Sequence, residues 1–371
     1  MNKMNIVITG ANGFIGKNLR VFLQENGYDT LTCIDRETTS EELYQALKNA
    51  NFVFHLAGVN RPINRSEYYE GNSELTYSIT RILEDTGNKT PLLITSSIQA
   101  GLDNDYGKSK AAAESAVKKY AKDTGAKTFI FRLPNVFGKW CKPNYNSVIA
   151  TFCHNTLNNK DIIINNPDVK LSLVYIDDVC KTFLNCIKGL IVSEESEVKP
   201  VYNATVGEVA SIIKSFKEKQ HTLNINKVGT GLMRALYATY LSYYSTNDFS
   251  YSVARHEDPR GTFVEMLKTE ESGQFSFFTA HPGITRGGHY HHTKNEKFLV
   301  IKGRAKFTFR HIDTNEYYEF FVDAEESKIV ETVPGWSHDI TNVGNDEMIV
   351  MLWANEIFDP LNPDTVNYKI F

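Results

Sequence analysis

The hydrophobic positions of this chain follow one pattern up to about residue 190 and another after about residue 245. In the first part, short unbroken apolar runs alternate with longer, helix-like stretches. Four of the runs are Ile6-Val7-Ile8, Phe52-Val53-Phe54, Leu92-Leu93-Ile94 and Phe129-Ile130-Phe131. Strands that are covered on both faces form such runs, and the intervening helices supply the cover. Residues 1–245 are therefore predicted to form a doubly wound α/β domain with a parallel sheet.

After about residue 245, apolar and polar residues alternate in short strands that are separated by Gly, Pro, Asn and Asp. Examples are FSFFTAHPG, KFLVIKGRAKFTFRHI and EMIVMLWANEI. Alternation with a period of two is typical of antiparallel strands that have one buried face. Residues 246–371 are therefore predicted to form an all-β domain, either an antiparallel barrel or a jelly roll.

The composition is typical of soluble globular domains and disfavours several classes of protein. The 371 residues are 42% hydrophobic and 23% charged, with a formal net charge of −4. Because no run of Lys and Arg occurs, we expect neither nucleic acid nor an anionic membrane as a partner. No apolar run reaches the roughly 18 residues of a membrane helix, and the first residues lack the apolar core of a signal peptide, so we expect a cytoplasmic protein. The five cysteines form no CxxC pair and are predicted to be reduced.

A glycine-rich loop follows the first apolar run. Its residues are Gly10, Ala11, Asn12, Gly13, Phe14, Ile15 and Gly16. Between a strand and a helix, such glycines let the backbone approach a pyrophosphate, whose charge the helix amides then face. The loop predicts a Rossmann-type dinucleotide site. Asp35 and Arg36 follow the second predicted strand; Arg36 favours the 2′-phosphate of NADPH, whereas Asp35 keeps NADH as the alternative.

The strongest indication of catalysis is a tyrosine and a lysine four residues apart. Tyr106 and Lys110 stand at the start of a predicted helix, and Ser97 ends the preceding predicted strand. Because residues i and i+4 share a helix face, Lys110 can lower the pKa of Tyr106 and orient the nicotinamide ribose. The phenol can then transfer a proton while hydride moves, and Ser97 can hold the substrate carbonyl. These three residues are predicted to be catalytic.

Together with the motifs above, three further segments and Asn72 make this part of the chain resemble a known family. It resembles the extended short-chain dehydrogenase/reductase family that acts on nucleotide sugars. The segments are His55-Leu56-Ala57-Gly58, Asn72, Arg132-Leu-Pro-Asn135-Val-Phe-Gly138 and Val174-Tyr-Ile-Asp177. The resemblance covers about residues 4–245. It implies that Leu56 and Ala57 contact the cofactor and that Asn135 helps to hold the nucleotide diphosphate of the substrate. Lys142 lies in a following segment of basic, aromatic and amide residues and is expected to bind a substrate phosphate.

Four potential metal ligands occur in the second part at the spacing of cupin motifs. The first cupin motif is matched by Gly283-x5-His289-x-His291-x4-Glu296-x6-Gly303. The second is approximated by Pro334-Gly335-x2-His338-x3-Asn342, with PG in place of PxG. Residues i and i+2 of a strand point to the same face, so His289 and His291 can converge inside a barrel. Three imidazoles and one carboxylate suit a divalent metal such as Zn, Fe or Mn, and we favour Zn.

A second resemblance, to deoxysugar epimerases of the cupin class, gives His289 a different role. It rests on Asp258-Pro-Arg260-Gly261-Thr-Phe263-Val-Glu265 and on Arg286-Gly-Gly-His289. In those enzymes the histidine is a general base, and the resemblance implies that Arg260 and Arg286 bind substrate phosphate. A metal-bound imidazole cannot abstract a proton, so the two roles of His289 exclude each other. If His289 binds metal, the candidates for the base are Tyr290, His292, Lys294 and Lys297.

The order of the two domains, together with the segments GKWCKPNYNSVIATFC and HTKNEKFLV, resembles the CapF-type bifunctional enzymes of capsular and O-antigen polysaccharide synthesis. The resemblance implies a UDP-sugar substrate on the route to UDP-N-acetyl-L-fucosamine. The cupin would invert C3 of UDP-2-acetamido-2,6-dideoxy-L-arabino-4-hexulose, and the reductase would then reduce the C4 ketone with NADPH to give UDP-2-acetamido-2,6-dideoxy-L-talose. In the alternative, the cupin is only a metal-stabilised dimerisation module. We expect a homodimer in both cases.

Overall fold

The computed structural model describes residues 4–192, 196–225 and 227–370. The chain divides into two compact units. The first contains the chain up to Lys214 together with Thr230–Tyr244, and the second contains Ser215–Gly229 together with the chain from Ser245 onward. The boundary predicted at residue 245 lies where the longer segment of the second unit begins, while the shorter segment precedes it.

A parallel five-stranded sheet lies at the centre of the first unit. Its strands are β1 (Ile6–Thr9), β2 (Leu31–Ile34), β3 (Phe52–His55), β4 (Leu92–Ser97) and β5 (Thr128–Leu133). They occur in the order β2-β1-β3-β4-β5, and each neighbouring pair is parallel. β1 and β3 are buried along their whole length. This burial on both faces explains why their sequences are nearly unbroken apolar runs.

Helices cover both faces of this sheet. In chain order, the α-helices of the described residues are α1 (Phe14–Glu25), α2 (Ser40–Lys48), α3 (Ser66–Tyr68), α4 (Leu75–Thr86), α5 (Asp105–Thr124), α6 (Val148–Leu157), α7 (Ile176–Ile187), α8 (Val206–Thr222) and α9 (Gly231–Leu241). Val53 of β3 packs in one cluster with Leu83 of α4 and Val117 of α5. The next residue, Phe54, instead stacks on Phe183 of α7 with ring centroids 6.0 Å apart. Because successive strand residues point to opposite faces, the doubly wound prediction is confirmed.

A smaller sheet completes the first unit. β6 (Asn135–Phe137) pairs in parallel with β7 (Lys170–Tyr175), which pairs antiparallel with β8 (Tyr202–Thr205). The cysteines and the helices agree with two further expectations from the sequence. All five cysteines of the chain are free thiols, as predicted. Among the residues that the structure describes, no helix has both the length and the apolar character needed to cross a membrane.

The second unit contains two antiparallel sheets, as predicted for residues after 245. Its strands are β9 (Arg255–Asp258), β10 (Gly261–Thr269), β11 (Gly273–Ala280), β12 (Thr285–Tyr290), β13 (Glu296–Lys302), β14 (Arg304–His311), β15 (Tyr317–Asp323), β16 (Ile329–Glu331), β17 (Trp336–Asn342), β18 (Met348–Ala354) and β19 (Val366–Asn367). One sheet has the order β16-β13-β18-β11-β10-β9 and the other β15-β14-β17-β12-β19. Phe278 and Phe298 of the first sheet and Phe307 and Ile340 of the second belong to one buried cluster, so the core lies between the sheets.

Candidate active site and candidate metal centre

A cavity of about 850 Å³ opens in the first unit where β1, β3 and β4 end. In open α/β sheets, ligands bind at the carboxyl ends of the strands. Most of the site residues predicted for this unit line the cavity, namely Gly10, Asn12, Gly13, Phe14, Ile15, Gly16, Leu56, Ser97, Tyr106, Lys110, Asn135 and Lys142. Asp35, Arg36 and Ala57 are not among the lining residues.

The glycine loop leaves no room for a side chain at Gly10 or Gly16. Gly10 has a φ of +67°, and a Cβ atom there would lie 2.7 Å from the backbone nitrogen of Ala57. A Cβ on Gly16 would lie 2.3 Å from the carbonyl oxygen of Gly10. Helix α1 then begins at Phe14, after Gly13, and no side chain caps its amides. The loop therefore fits the pyrophosphate of a dinucleotide, and Ala57 supports the loop from behind.

A polar chain of three residues lies beside this loop. Asn12 Nδ2 donates to Asp35 Oδ2 at 3.0 Å, and Arg20 Nη1 donates to Asn12 Oδ1 at 3.0 Å. Arg36 is exposed. Arg20 was not predicted as a site residue. The sequence could have indicated Arg20 through its position on α1, seven residues after Gly13, because positions seven apart lie on the same helix face.

Tyr106 lies in the first turn of α5, close to Ser97 at the end of β4. Asn104 caps this helix by accepting from the amide of Gly107 at 2.7 Å. Burial raises the pKa of Tyr106; a hydrogen bond with Ser97 opposes this effect, and the neighbouring Tyr68 adds to it. The phenol is therefore protonated at neutral pH and can act as a proton donor.

Lys110 is buried one turn further along the same helix. Its Nζ atom donates to the carbonyl oxygen of Thr95 at 3.1 Å. Burial lowers the pKa of Lys110 to about 8, while the charge of Glu114 opposes the shift. The structure differs here from the expectation that Lys110 lowers the pKa of Tyr106, because burial of the phenol dominates. Tyr106 and Lys110 share one helix face, but burial is the largest cause of the pKa shift of each.

Glu114, which was not predicted, holds two polar groups behind this site. Ser96 Oγ donates to Glu114 Oε1 at 2.6 Å, and Arg132 donates to both carboxylate oxygens at 2.9 and 2.6 Å. Glu114 itself is 3% exposed. A buried carboxylate needs such partners. Its sequence signal was a charged residue four positions after Lys110, on the buried face of the helix.

The two predicted substrate residues of this unit lie on the cavity wall. Asn135 begins β6 and donates through Nδ2 to the carbonyl oxygen of Ser172 at 3.2 Å. Lys142 is exposed and places its Nζ atom 5.7 Å from the ring centroid of Tyr145. Trp140, 48% exposed, lines the same cavity. Amide, cationic and aromatic groups are thus available together to a nucleotide ligand.

The second unit brings together all four predicted metal ligands. The donor atoms of His289, His291, Glu296 and His338 lie within 4.8 Å of one another. His289 of β12 is directly opposite His338 of β17 in the antiparallel register. Glu296 begins β13 in the other sheet, and its Oε2 atom lies 3.4 Å from Nε2 of both His291 and His338. The cluster therefore spans the interior between the sheets.

The unpartnered imidazole nitrogens and the charge of the carboxylate in this cluster fit a divalent cation. His291 Nε2 is buried and has no hydrogen-bond partner among the described residues, and the same holds for His338 Nδ1. Burial disfavours ionisation of Glu296, whereas the ammonium of Lys294, whose Nζ atom lies 2.9 Å from Glu296 Oε1, favours the ionised carboxylate. Orphaned imidazole nitrogens beside an ionised carboxylate form the donor set that zinc and related metals prefer.

The two predicted arginines of this unit share an acidic neighbour. Arg260 Nη2 donates to Asp258 Oδ2 at 2.6 Å in an exposed pair. Arg286 Nε donates to the carbonyl oxygen of Thr279 at 2.9 Å, whereas its Nη2 atom is buried without a hydrogen-bond partner in the described part of the chain. Burial lowers the pKa of Arg286. Arg286 therefore offers an unused donor to an anionic ligand.

Both units of the chain match known protein families. Residues 6–203 match the NAD dependent epimerase/dehydratase family, and residues 256–366 match the polysaccharide biosynthesis C-terminal domain. The first match covers more than half of the chain. The protein therefore belongs to the NAD-dependent epimerase/dehydratase family, and a nicotinamide cofactor is the group that the glycine loop fits.

One curated relative and two solved structures match nearly the whole chain. The UDP-2-acetamido-2,6-beta-L-arabino-hexul-4-ose reductase of Pseudomonas aeruginosa is 54% identical over 98% of both chains. The crystal structure of the capsular polysaccharide assembling protein CapF from Staphylococcus aureus is 42% identical, with a TM-score of 0.92 over 99% of this chain and 100% of that one. A structure of CapF with the inhibitor 3-isopropenyl-tropolone gives a TM-score of 0.86 at 39% identity. The predicted resemblance to CapF-type enzymes and the prediction of an enzyme are confirmed.

Proposed function

We propose that this protein is a bifunctional nucleotide-sugar enzyme. Its second unit inverts C3 of UDP-2-acetamido-2,6-dideoxy-L-arabino-4-hexulose, and its first unit then reduces the C4 ketone with NADPH to UDP-2-acetamido-2,6-dideoxy-L-talose, on the route to UDP-N-acetyl-L-fucosamine for capsule or O-antigen. The observation that carries the proposal is the cavity that Ser97, Tyr106 and Lys110 line beside the glycine loop. The name of the relative that is 54% identical supports this choice of substrate.

Reduction of the ketone requires a hydride at C4 and a proton at the C4 oxygen. Bound NADPH supplies the hydride. Tyr106 donates the proton, since burial keeps its phenol protonated at neutral pH. The hydroxyl of Ser97 donates a hydrogen bond to the same oxygen and stabilises the charge that develops there. Lys110, buried beside the tyrosine, orients the ribose of the cofactor.

Epimerisation at C3 requires removal of a proton and its return to the opposite face. The proton is acidic because the carbanion is delocalised onto the C4 oxygen as an enolate. A divalent metal held by His289, His291, Glu296 and His338 would supply positive charge that stabilises an enolate. Arg260 and Arg286 bind the diphosphate in this proposal. If His289 is a metal ligand, the base is another residue.

The order of the two reactions follows from their chemistry. Epimerisation needs the ketone, whereas reduction removes it. Once C4 carries a hydroxyl group, the hydrogen on C3 is no longer acidic. Reduction after epimerisation therefore locks the configuration at C3.

The experiment that tests the proposal separates the two reactions. The 4-keto substrate is incubated with the full chain in heavy water without nicotinamide cofactor, and mass spectrometry measures deuterium at C3. We expect uptake above the rate without enzyme. Absence of uptake, with reduction intact once NADPH is added, would leave a reductase whose cupin is a metal-stabilised dimerisation module.

We further propose that the protein is a homodimer. Among soluble homo-oligomers, closed two-fold dimers are the commonest assembly. Light scattering of the purified full chain measures the mass directly. A mass of one chain of 42.1 kDa would contradict the proposal.

A further inference from the structure

The C-terminal segment after β18 returns to the strand that carries His289. β19 pairs with the end of β12, where His289 lies opposite Asn367 and Tyr290 opposite Val366. The amide of Tyr368 then donates to the carbonyl oxygen of Gly288 at 2.8 Å. These backbone contacts fix the segment beside the candidate metal centre.

Asp364, just before β19, contacts this centre through its main chain. Its carbonyl oxygen lies 2.5 Å from His291 Nδ1. A carbonyl oxygen can only accept a hydrogen bond, so Nδ1 carries the proton. In the neutral imidazole the lone pair then lies on Nε2, the atom that is buried without a hydrogen-bond partner and 3.4 Å from Glu296 Oε2. The contact selects the tautomer of His291 that can bind a metal.

The carboxylate of the same residue holds the turn between two ligands. Asp364 Oδ1 accepts from the amide of His292 at 2.9 Å. Asp364 Oδ2 accepts from the amides of Thr293 and Lys294 at 2.6 and 2.8 Å and from Thr293 Oγ1 at 3.0 Å. Residues 292–295 connect His291 to Glu296, and Asp364 holds the first three of them. One carboxylate therefore fixes the path of the chain between an imidazole ligand and the carboxylate ligand.

From these contacts we infer that Asp364 is a positioning residue of the metal centre, which orients the ring of His291 through its carbonyl and sets the spacing of His291 and Glu296 through its side chain. The inference rests on the proposed metal centre. The sequence motif did not include this residue, which lies 26 positions after His338. Partners that orient metal ligands typically contribute 10- to 100-fold to metal affinity.

The test uses the full chain, freed of metal with a chelator, and titrates it with Zn²⁺ in competition with a coloured chelator. We expect Asp364→Ala to weaken Zn²⁺ binding by about 10- to 100-fold. Asp359→Ala is the matched control, since Asp359 caps a turn of the same segment through the amide of Leu361 at 2.9 Å. That variant should bind Zn²⁺ as the wild type does.

A second readout separates positioning from a general structural effect. With Co²⁺ in place of Zn²⁺, the visible absorption reports the geometry of the ligands, and it should change in Asp364→Ala but not in Asp359→Ala. If the alanine variant does not fold without metal, Asp364→Asn is judged by the same measurements. Asp364→Ala keeps the main-chain carbonyl but removes the carboxylate that ties it to residues 292–294. Unchanged affinity and spectrum in the folded variant would therefore overturn the positioning role of the Asp364 side chain and leave the metal centre standing. A wild type that binds neither cation would overturn the metal centre and, with it, this inference.

Discussion

In the first unit the catalytic candidates stand at the ends of parallel strands and on the first turns of one helix, whereas in the second unit the four donors stand on antiparallel strands of two sheets. Tyr106 and Lys110 are neighbours because one helical turn separates them. Glu296 and His338 are neighbours because the two sheets face each other across a common core. The Tyr106–Lys110 pair thus depends on local geometry and the Glu296–His338 pair on long-range pairing. Because the two pairs belong to different units, single substitutions should separate the two activities.

The largest effect is expected for Tyr106→Phe. Loss of the phenolic proton donor should lower the rate of ketone reduction by about 10²- to 10⁴-fold. Deuterium exchange at C3 should stay at the wild-type rate, because the second unit is unchanged. Rapid-mixing measurement of NADPH oxidation and the heavy-water assay give the two rates. Tyr77→Phe, on the half-exposed side chain of α4, is the control, and a normal reduction rate in Tyr106→Phe would rule out the tyrosine as the acid.

The reverse separation is expected for His338→Ala. Removal of one of four donors should weaken Zn²⁺ binding and slow C3 exchange by about 100-fold or more. Binding of NADPH, followed by its fluorescence, should not change. The exposed His221 offers a control in His221→Ala. If His338→Ala weakened NADPH binding as much as it weakened Zn²⁺ binding, the two sites would not be separable in this way.

A pH effect of intermediate size is expected from the buried His55 of the first unit. Burial, with a smaller contribution from the charge of Lys110, lowers its pKa from 6.5 to about 3. Its ring nitrogens lie 2.7 Å from Thr9 Oγ1 and 2.8 Å from Thr76 Oγ1. Below pH 6.5 the unfolded chain binds a proton that the folded chain does not, so stability falls on acidification toward pH 3.

Between pH 7 and pH 5 this single group should cost about 2 kcal/mol of the free energy of unfolding. His55→Gln lacks the titrating group and should lose correspondingly less stability over the same interval. Thermal unfolding of both proteins without cofactor measures the difference. An equal loss in the two proteins would show that His55 does not set the acid sensitivity.

The smallest effect is expected for Arg36→Ala, which tests the choice between the two cofactors. If Arg36 pairs with the 2′-phosphate, the variant should raise KM for NADPH by about 10-fold, the effect of about 1.4 kcal/mol. KM for NADH should not change, because NADH lacks that phosphate. Arg81→Ala, an exposed position on α4, is the control. Equal changes for NADPH and NADH would contradict the role of Arg36.

The sequence by itself determined the elements and the local parts of both sites. Unbroken apolar runs such as Phe52-Val53-Phe54 marked buried parallel strands, and alternation after residue 245 marked antiparallel ones. The spacing of Tyr106 and Lys110 and of His289 and His291 indicated shared faces, because helix and strand periods are fixed by the backbone. The roles of these residues and the boundary at residue 245 stay predictions.

Only the tertiary structure decided the features that depend on distant parts of the chain. Burial raises the pKa of Tyr106 against the expected effect of Lys110, since desolvation depends on everything packed around the phenol. Glu114 finds Arg132 across the helix–sheet contact, and Asp364 finds His291 through the pairing of β19 with β12. No local period encodes such contacts, because sheet order and the return of the C-terminal segment bring them together.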